Sequence, residues 1–415
     1  MESTMEAAYV SRPAYEALLR KHRDTQDIKV LTGVRRCGKS SLLQWLADDL
    51  TESGVNPQNV FYRRMDLFGM PLNPDAEWLA SEIQKALDLA DPKEPFYVLL
   101  DEVQDVAGWE RVVRQLHTRP NTDVYVTGSN AYVLSSDLAT LIGGRYVELR
   151  VQPLSFKEFL SFASEYGLDF PSDEAAFSEY LRYGGMPALF HLRKRSQENI
   201  SELLRSTYET VILNDVAARA KISDLDLLSK LVRYVFSTSG TLFSTNKIVQ
   251  TLTSAGRKTT QETVDSYLRA LVSALVLSEC EQTGLAGKAV LRPQRKFYPV
   301  DTGLRNLMRN FAPGDLGLQI ENVVHNELVR RGWNVTVGVM RSGEIDFVAD
   351  KPQGREYFQV TETMADQRTY ERELEPFKNL ADAWPKTVLT TDRLNSGVTE
   401  DGVNVVNVID WLLMK

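Results

Sequence analysis

The sequence predicts an α/β fold built on a parallel sheet, and two stretches predict it. In the first, the apolar strand Ile28-Lys-Val-Leu-Thr32 runs into Gly33-Val-Arg-Arg-Cys-Gly38-Lys39-Ser40 and then into the helical Ser41-Leu-Leu-Gln-Trp-Leu-Ala47. A GxxxxGK[ST] loop between strand and helix curls its backbone N–H groups around a phosphate chain, and the helix start adds a positive dipole end. In the second, Phe96-Tyr-Val-Leu-Leu100 is an unbroken apolar run, as a strand covered on both faces requires, and it ends on Asp101-Glu102.

Together these stretches imply ATP and Mg2+. Gly33, Arg36, Gly38, Lys39, Ser40 and Ser41 form the phosphate cradle, with Lys39 reaching the β- and γ-phosphates. Ser40 and Asp101 hold the metal, and Glu102 polarises the attacking water. Strands and helices alternate around them: Val60-Phe-Tyr62, Ala76–Leu89, Gly108–His117 and Asp123–Thr127. Such alternation places ligands at the carboxyl ends of parallel strands. The strand ending at Thr127 is followed by Gly128-Ser129-Asn130, where Asn130, or Ser129, is placed to orient the water. After a helical stretch, Leu138–Ile142, two glycines precede Arg145 and a strand, Tyr146–Val151. That arginine either projects toward the phosphates of its own or a neighbouring chain or is a surface residue.

The 415 residues exceed one ordinary core, so two or three domains are expected. A charge of −8 with 43% apolar residues describes a soluble chain without the basic excess of a typical nucleic-acid binder. Two cysteines, Cys37 and Cys280, exclude a disulfide framework or a zinc cluster. Met1–Glu6 lacks the basic start and apolar run of a signal peptide, and no run is long enough to cross a membrane. A cytoplasmic location is expected.

From Ser201 the pattern is helical: Ser201–Asn214, Asp224–Thr238, Ser244–Ser254 and Thr260–Ala274. The strand-like runs Leu275–Glu281 and Lys296–Val300 follow. Three helices and a hairpin make a winged helix-turn-helix. Val264, Tyr267, Leu268 and Leu271 bury its third helix, whose other face, Gln261, Glu262, Asp265, Ser266 and Arg269, is mixed in charge. Segment 241–300 holds eight Lys/Arg against four Asp/Glu. Arg257, Lys258, Lys288, Arg292, Arg295 and Lys296 are the candidates for DNA phosphate contacts.

The C-terminal stretch has a helix, Leu318–Arg331, strands at Trp333–Val339, Glu344–Ala349 and Tyr357–Thr361, a helix, Gln367–Asn379, and a last αβ region. Glu321 shares a helix side with Val324 and Leu328. Asp346 lies in the middle strand, and Gln359 and Thr361 share one face of the next.

The runs Gly33–Ser40, Leu99-Leu-Asp-Glu-Val-Gln104, Thr127-Gly-Ser-Asn130, Gly144-Arg-Tyr146 and Pro153-Leu-Ser-Phe-Lys-Glu-Phe159 resemble the archaeal-type ATPases of the AAA+ superfamily. Gly184-Gly-Met-Pro187 resembles a Gly-x-Pro signature shared with STAND signalling NTPases, which implies that Pro187 approaches the base. The resemblance implies an ATPase core over 1–155, a helical lid or linker over 156–215, a winged helix over 216–312 and a nuclease-like domain over 313–415. The last order is similar to the PD-(D/E)xK fold, with Glu321 and Asp346 matching its first two acids. Where that fold has acid-x-lysine this chain has Gln359-Val-Thr361, so a degenerate site without ordinary nuclease activity is expected. The resulting expectation is a Mg2+-dependent ATPase acting on or near DNA. A STAND-like switch working through a protein partner and an ATP-regulated endonuclease are the alternatives, and self-association stays open.

Overall fold

The computed structural model describes residues 9–128, 144–284, 294–340, 343–380, 382–394 and 396–414. The chain divides into two compact units, Met1–Pro153 with Ser273–Leu275, and Leu154–Val272 with Val276–Lys415.

In the first unit the strands β1 (Ile28–Thr32), β2 (Val60–Arg64), β3 (Phe96–Asp101), β4 (Thr122–Thr127) and β5 (Tyr146–Arg150) form one sheet in the order β2-β3-β4-β1-β5. Every pairing in it is parallel. Strands β1 and β3 are buried along their whole length, which is why their sequences read as continuous apolar runs and not as an alternation. Helices α1 (Pro13–His22), α2 (Lys39–Glu52), α3 (Ala76–Leu89) and α4 (Trp109–His117) accompany the sheet. The start of α3 is set by Asp75, whose carboxylate accepts from the Trp78 N–H at 2.9 Å. Helix α1 is not anticipated by the sequence reading; Pro13 at its first position fits a helix start, because the missing N–H has no partner there in any case. Lys29, inside β1, is fully buried and pairs with Asp123 of β4, and Tyr125 and the Asp24 N–H complete that carboxylate's hydrogen bonds. A lysine in a core strand is tolerable only with such a partner.

The second unit begins with helices Phe156–Glu165 and Asp173–Tyr183, the first closed by a reciprocal cap between Ser155 and Glu158. Helix Gln197–Tyr208 runs on through a wide turn to Val216, and helices Leu225–Ser237, Thr245–Ser254 and Gln261–Ser273 follow. Val264, Tyr267, Leu268 and Leu271 are buried. Then come the antiparallel strands β6 (Leu277–Gly284) and β7 (Arg295–Pro299) and helices Thr302–Met308 and Leu316–Arg330. Strands β8 (Asn334–Met340), β9 (Gly343–Lys351), β10 (Gly354–Val360), β11 (Lys386–Thr390), β12 (Gly397–Val398) and β13 (Asn404–Asn407) complete the unit, with helix Gln367–Lys378 after β10 and Val408–Leu413 last.

These strands form one eight-stranded sheet, β12-β13-β11-β10-β9-β8-β6-β7. The expected domain border at 312/313 is bridged by it: β6 pairs in parallel with β8 through Gln282↔Val337, Thr283↔Gly338 and Gly284↔Val339. The hairpin expected to be a free wing is the edge of the C-terminal sheet.

Asp301 fastens the start of helix Thr302–Met308 to the Gly184–Pro187 turn. Its carboxylate accepts from Leu304 N–H at 3.1 Å and from Gly185 N–H at 2.8 Å. At Gly184, with φ 81°, a Cβ would lie 2.2 Å from the Asp301 Oδ1, so only glycine fits. Burial pushes the Asp301 carboxyl up to about 6, against the pull of the backbone N–H groups of Gly185, Leu304 and Gly303. A folded-state pKa raised above the unfolded value of about 3.9 means that this residue's contribution to stability is complete below about pH 4 and is lost as pH rises through about 6. Urea unfolding of wild type and Asp301→Asn across this range should show the wild type losing stability relative to the variant.

Candidate functional site

Loop 33–40 carries out the turn its sequence implies. Gly33 has φ 149°, and a Cβ there would lie 2.1 Å from the Val151 carbonyl oxygen and 2.7 Å from Cys37 Sγ. Arg36 and Gly38 also take positive φ, at 67° and 101°. Gly38 is the N-cap of α2 and supplies no side-chain bond, and no acidic residue sits in the first turn. The first amides of α2 are thereby left to an external anion. Lys39, almost fully buried, donates to the Gly33 carbonyl at 2.8 Å across the loop. Ser40 and Ser41 follow in the first turn.

Behind the loop stands a clamp that sequence reading missed. The buried guanidinium of Arg12 donates to the Cys37 carbonyl at 2.9 Å and to the Gln152 carbonyl at 3.0 Å, and it lies 4.4 Å from the Tyr15 ring centroid. The loop is thus fastened through its Cys37 carbonyl to the segment that follows β5. Burial raises the Cys37 thiol above its ordinary value, and the nearby charges of Lys39 and Arg12 only partly offset it, so this cysteine is a packing residue.

Asp101 ends β3 with no exposed surface. Its Oδ1 accepts the Thr127 hydroxyl from β4. That hydroxyl oxygen also accepts the Glu102 N–H at 3.1 Å, holding Glu102 at φ 54°, a left-handed conformation that costs about 1–3 kcal/mol in a non-glycine residue. Glu102 Oε2 accepts from Gln104 at 2.7 Å. Among the described residues Asp101 Oδ2 is buried without a hydrogen bond, and Arg64 Nε lies 3.6 Å from it. Burial raises the Asp101 pKa, with the Thr127 hydroxyl and then the neighbouring Ser40 hydroxyl pulling the other way. A buried carboxylate oxygen left open beside Ser40 fits a divalent cation, since charge that protein donors do not satisfy is what a metal satisfies. Thr127 and Arg64 were legible only as strand ends.

Arg145 does not join this group. Its carbonyl accepts the Ile28 N–H at 3.1 Å, and Tyr146 pairs with Ile28, at the start of β1. The phosphate loop leaves the other end, roughly 13 Å of strand away at 3.3 Å per residue. Arg145 therefore reaches no phosphate held by its own chain, which corrects that half of the expectation. Ser129, Asn130 and the helical stretch 138–142 lie outside the described residues. Pro187 belongs to the second unit, where it is buried and opens the short turn Pro187–His191.

The C-terminal candidates only partly assemble. Glu321 and Asp346 meet around an ammonium from outside the expected motif: Lys296 Nζ, on β7, lies 3.1 Å from Glu321, 2.6 Å from Glu344 and 3.7 Å from Asp346. Tyr298 donates to Glu321 at 2.6 Å. Gln359 Oε1 accepts the Asp346 N–H at 3.2 Å, and Thr361 donates to the Thr363 carbonyl at 3.2 Å, so neither side chain turns its oxygen to the carboxylates. Burial and then the Glu321 charge push Asp346 well above the usual carboxylate range, with Lys296 opposing. Burial works against the Lys296 charge, but the three carboxylates outweigh it and hold its pKa above the usual lysine range. The ammonium absent from Thr361 is therefore present in space, where the sequence reading had none. Among the described residues no three His, Cys, Asp or Glu side chains converge as a metal cage. Lys296→Met would strand buried carboxylates and should cost about 3–5 kcal/mol in denaturant unfolding, with part regained when Asp346→Asn is added.

Three of the six basic residues expected to meet DNA are committed elsewhere. Arg257 pairs with Asp224 and Asp226, Arg295 with Asp265 and Glu279, and Lys296 lies in the cluster above. Lys258 is exposed, and Lys288 and Arg292 lie outside the described residues.

Comparison with known proteins agrees with the first unit. Residues 25–160 match the AAA domain family, and residues 174–315 match a domain of unknown function. An uncharacterized protein of Haemophilus influenzae is 36% identical over 409 residues, covering 99% of this chain and 100% of that protein. An uncharacterized protein of Methanocaldococcus jannaschii is 26% identical over 332 residues, 77% of this chain and 71% of the relative. Among solved structures, the Walker-type ATPase of Pyrococcus abyssi superposes with a TM-score of 0.51 at 16% identity, covering 72% of this chain and 96% of that one, a likeness of fold. With a phosphate loop, a held carboxylate pair and identity of this extent along the whole chain, the protein belongs to one family with the Haemophilus influenzae protein, a family carrying an AAA-type P-loop domain.

Proposed function

We propose that the chain is a magnesium-dependent ATPase whose nucleotide state controls a protein partner. The observation that carries the first half is Asp101: buried, held by Thr127 on one oxygen, and open on the other beside Ser40. Ser40 and Asp101 would hold the magnesium ion, which supplies positive charge against the phosphates. Lys39 leaves the Gly33 carbonyl for the β- and γ-phosphates, and the uncapped start of α2 adds its amides. Glu102, fixed by its own backbone bond to Thr127, aligns a water for in-line attack on the γ-phosphorus, and product release follows.

Lys39→Ala removes charged hydrogen bonds worth roughly 1.5–3 kcal/mol each, so affinity for a fluorescent ATP analogue should fall by about tenfold or more. Glu102→Gln should bind as wild type does and lose about 10²–10⁴ in turnover. Equal affinity of wild type and Lys39→Ala would overturn the site.

For the partner, the sequence points to DNA, and the burial of Lys296 among three carboxylates favours protein instead. An exposed pair exchanges cheaply for a phosphate, but the buried Lys296 does not. Gel retardation with duplex DNA over a salt series should show little binding at physiological salt. Affinity that is strong and falls steeply as salt rises would restore the DNA reading through counterion release. With Lys296 saturating Glu321 and Glu344, and Gln359 turned to a backbone amide, metal-dependent DNA cleavage is not expected. The proposed location is the cytoplasm; among the described residues no helix is long and apolar enough to cross a membrane.

A further inference from the structure

The end of β2 places an arginine between the metal carboxylate and an exposed apolar loop. In the sheet register Arg64 stands opposite Asp101, and the next residue, Met65, donates its N–H to the Asp101 carbonyl at 3.0 Å. The Arg64 guanidinium makes a fork to Asp66, Nε to Oδ1 at 3.2 Å and a terminal nitrogen to Oδ2 at 3.1 Å. The same Nε lies 3.6 Å from Asp101 Oδ2, the oxygen without a hydrogen bond. Arg64 and Asp66 are half-buried to exposed, while Asp101 is sealed.

Beyond Asp66 the chain changes character. Met65 is buried, but Leu67 is 51% exposed, Phe68 108% and Leu72 98%. Three large apolar side chains within six residues gain nothing from water, and Gly69, at φ 95°, turns the loop outward before Asp75 caps α3. What joins this loop to the site is the fork between Arg64 and Asp66, together with the Met65 anchor.

We infer that Arg64 is a positioning residue that relays occupancy of the Asp101 metal site to the loop Leu67–Leu72 by sharing its guanidinium between Asp101 and Asp66. The inference rests on the ATPase reading. A divalent cation and a guanidinium compete for Asp101 Oδ2 and repel each other, so metal binding frees Arg64 from Asp101. The freed guanidinium moves with its fork, and Asp66, one residue from Leu67, carries the movement into the loop. Arginine suits the relay because its planar fork binds Asp66 at two points and transmits orientation as well as charge, which a lysine would not.

The test uses full-length protein with Phe68→Trp as a reporter, a side chain so exposed that its replacement leaves no cavity. Tryptophan emission, referenced to protein without the reporter, is followed during titration with Mg2+ and a non-hydrolysable ATP analogue, with analogue affinity measured separately by a fluorescent competitor. The expected result is a magnesium-dependent emission shift in the reporter protein. Asp66→Asn should abolish the shift and leave analogue affinity unchanged. Arg64→Gln should abolish it and lower the magnesium concentration for half-saturation severalfold, because a competing cation is gone. Both partners are partly exposed, and matching melting curves show that the variants fold. A shift that persists in Asp66→Asn, or analogue binding with no shift in the reporter protein, would overturn the relay while leaving the ATP site standing. Failure of the reporter protein to bind the analogue would overturn the ATP site and the relay with it.

Discussion

A carboxylate at the end of a fully buried strand must be held by something other than water, and the geometry of the first unit follows from how Asp101 is held. The hydroxyl of Thr127 reaches it only because β4 lies beside β3 in parallel, so that the two strands end together. The same hydroxyl fixes the Glu102 backbone, so one side chain sets both acids. Strand β1 lies on the other side of β4, with Leu31 level with Thr127, and this brings the phosphate loop to the same edge. The order β3-β4-β1 is thus what assembles the site, and a sheet with β1 beside β3 would lack the hydroxyl between them.

Buried charge recurs in this chain, and each case is settled differently. Lys29 has Asp123 and two further donors to that carboxylate, a closed group that fixes the start of the sheet. Asp301 pairs with no cation among the described residues and relies on backbone N–H groups, which leaves its carboxyl sensitive to pH. Lys296 gathers three carboxylates, so the edge hairpin, helix Leu316–Arg330 and β9 are tied by one ammonium. Among the described residues, Asp101 is the buried carboxylate that keeps an oxygen open. That contrast among the buried carboxylates is what supports reading Asp101 as a ligand site, while the other acids fasten elements together.

Much of the first unit was legible because its information is local. The phosphate loop needs glycine at 33 and 38 for backbone reasons, and buried strands announce themselves as apolar runs. What escaped depends on pairing between distant segments. Thr127 is an ordinary strand end until β4 is known to border β3. Arg145 follows two glycines in a way that reads as a poised arginine, yet nothing local says which end of the sheet it occupies. Lys296 looks like a surface cation as long as strand Lys296–Val300 looks like a wing in solvent. Pairing of β6 with β8 made the hairpin part of a sheet and brought that residue inside.

The same pairing alters what a cation count means. Eight basic residues in segment 241–300 describe a favourable field for phosphate only if their charges face solvent. Arg257 closes two acids at the start of helix Leu225–Ser237, and Arg295 joins Asp265 of one helix to Glu279 of the neighbouring strand. These arginines bind their own unit together, and drawing them to DNA would exchange one set of ion pairs for another at little net gain. For Lys296 the exchange would also expose a cluster whose carboxylates, among the described residues, pair with no other cation. A basic count can therefore overstate the charge offered to solvent, since Arg257, Arg295 and Lys296 are already paired while Lys247, Lys258 and Arg269 stay exposed, and the mixed face of helix Gln261–Ser273 is no dense cationic stripe.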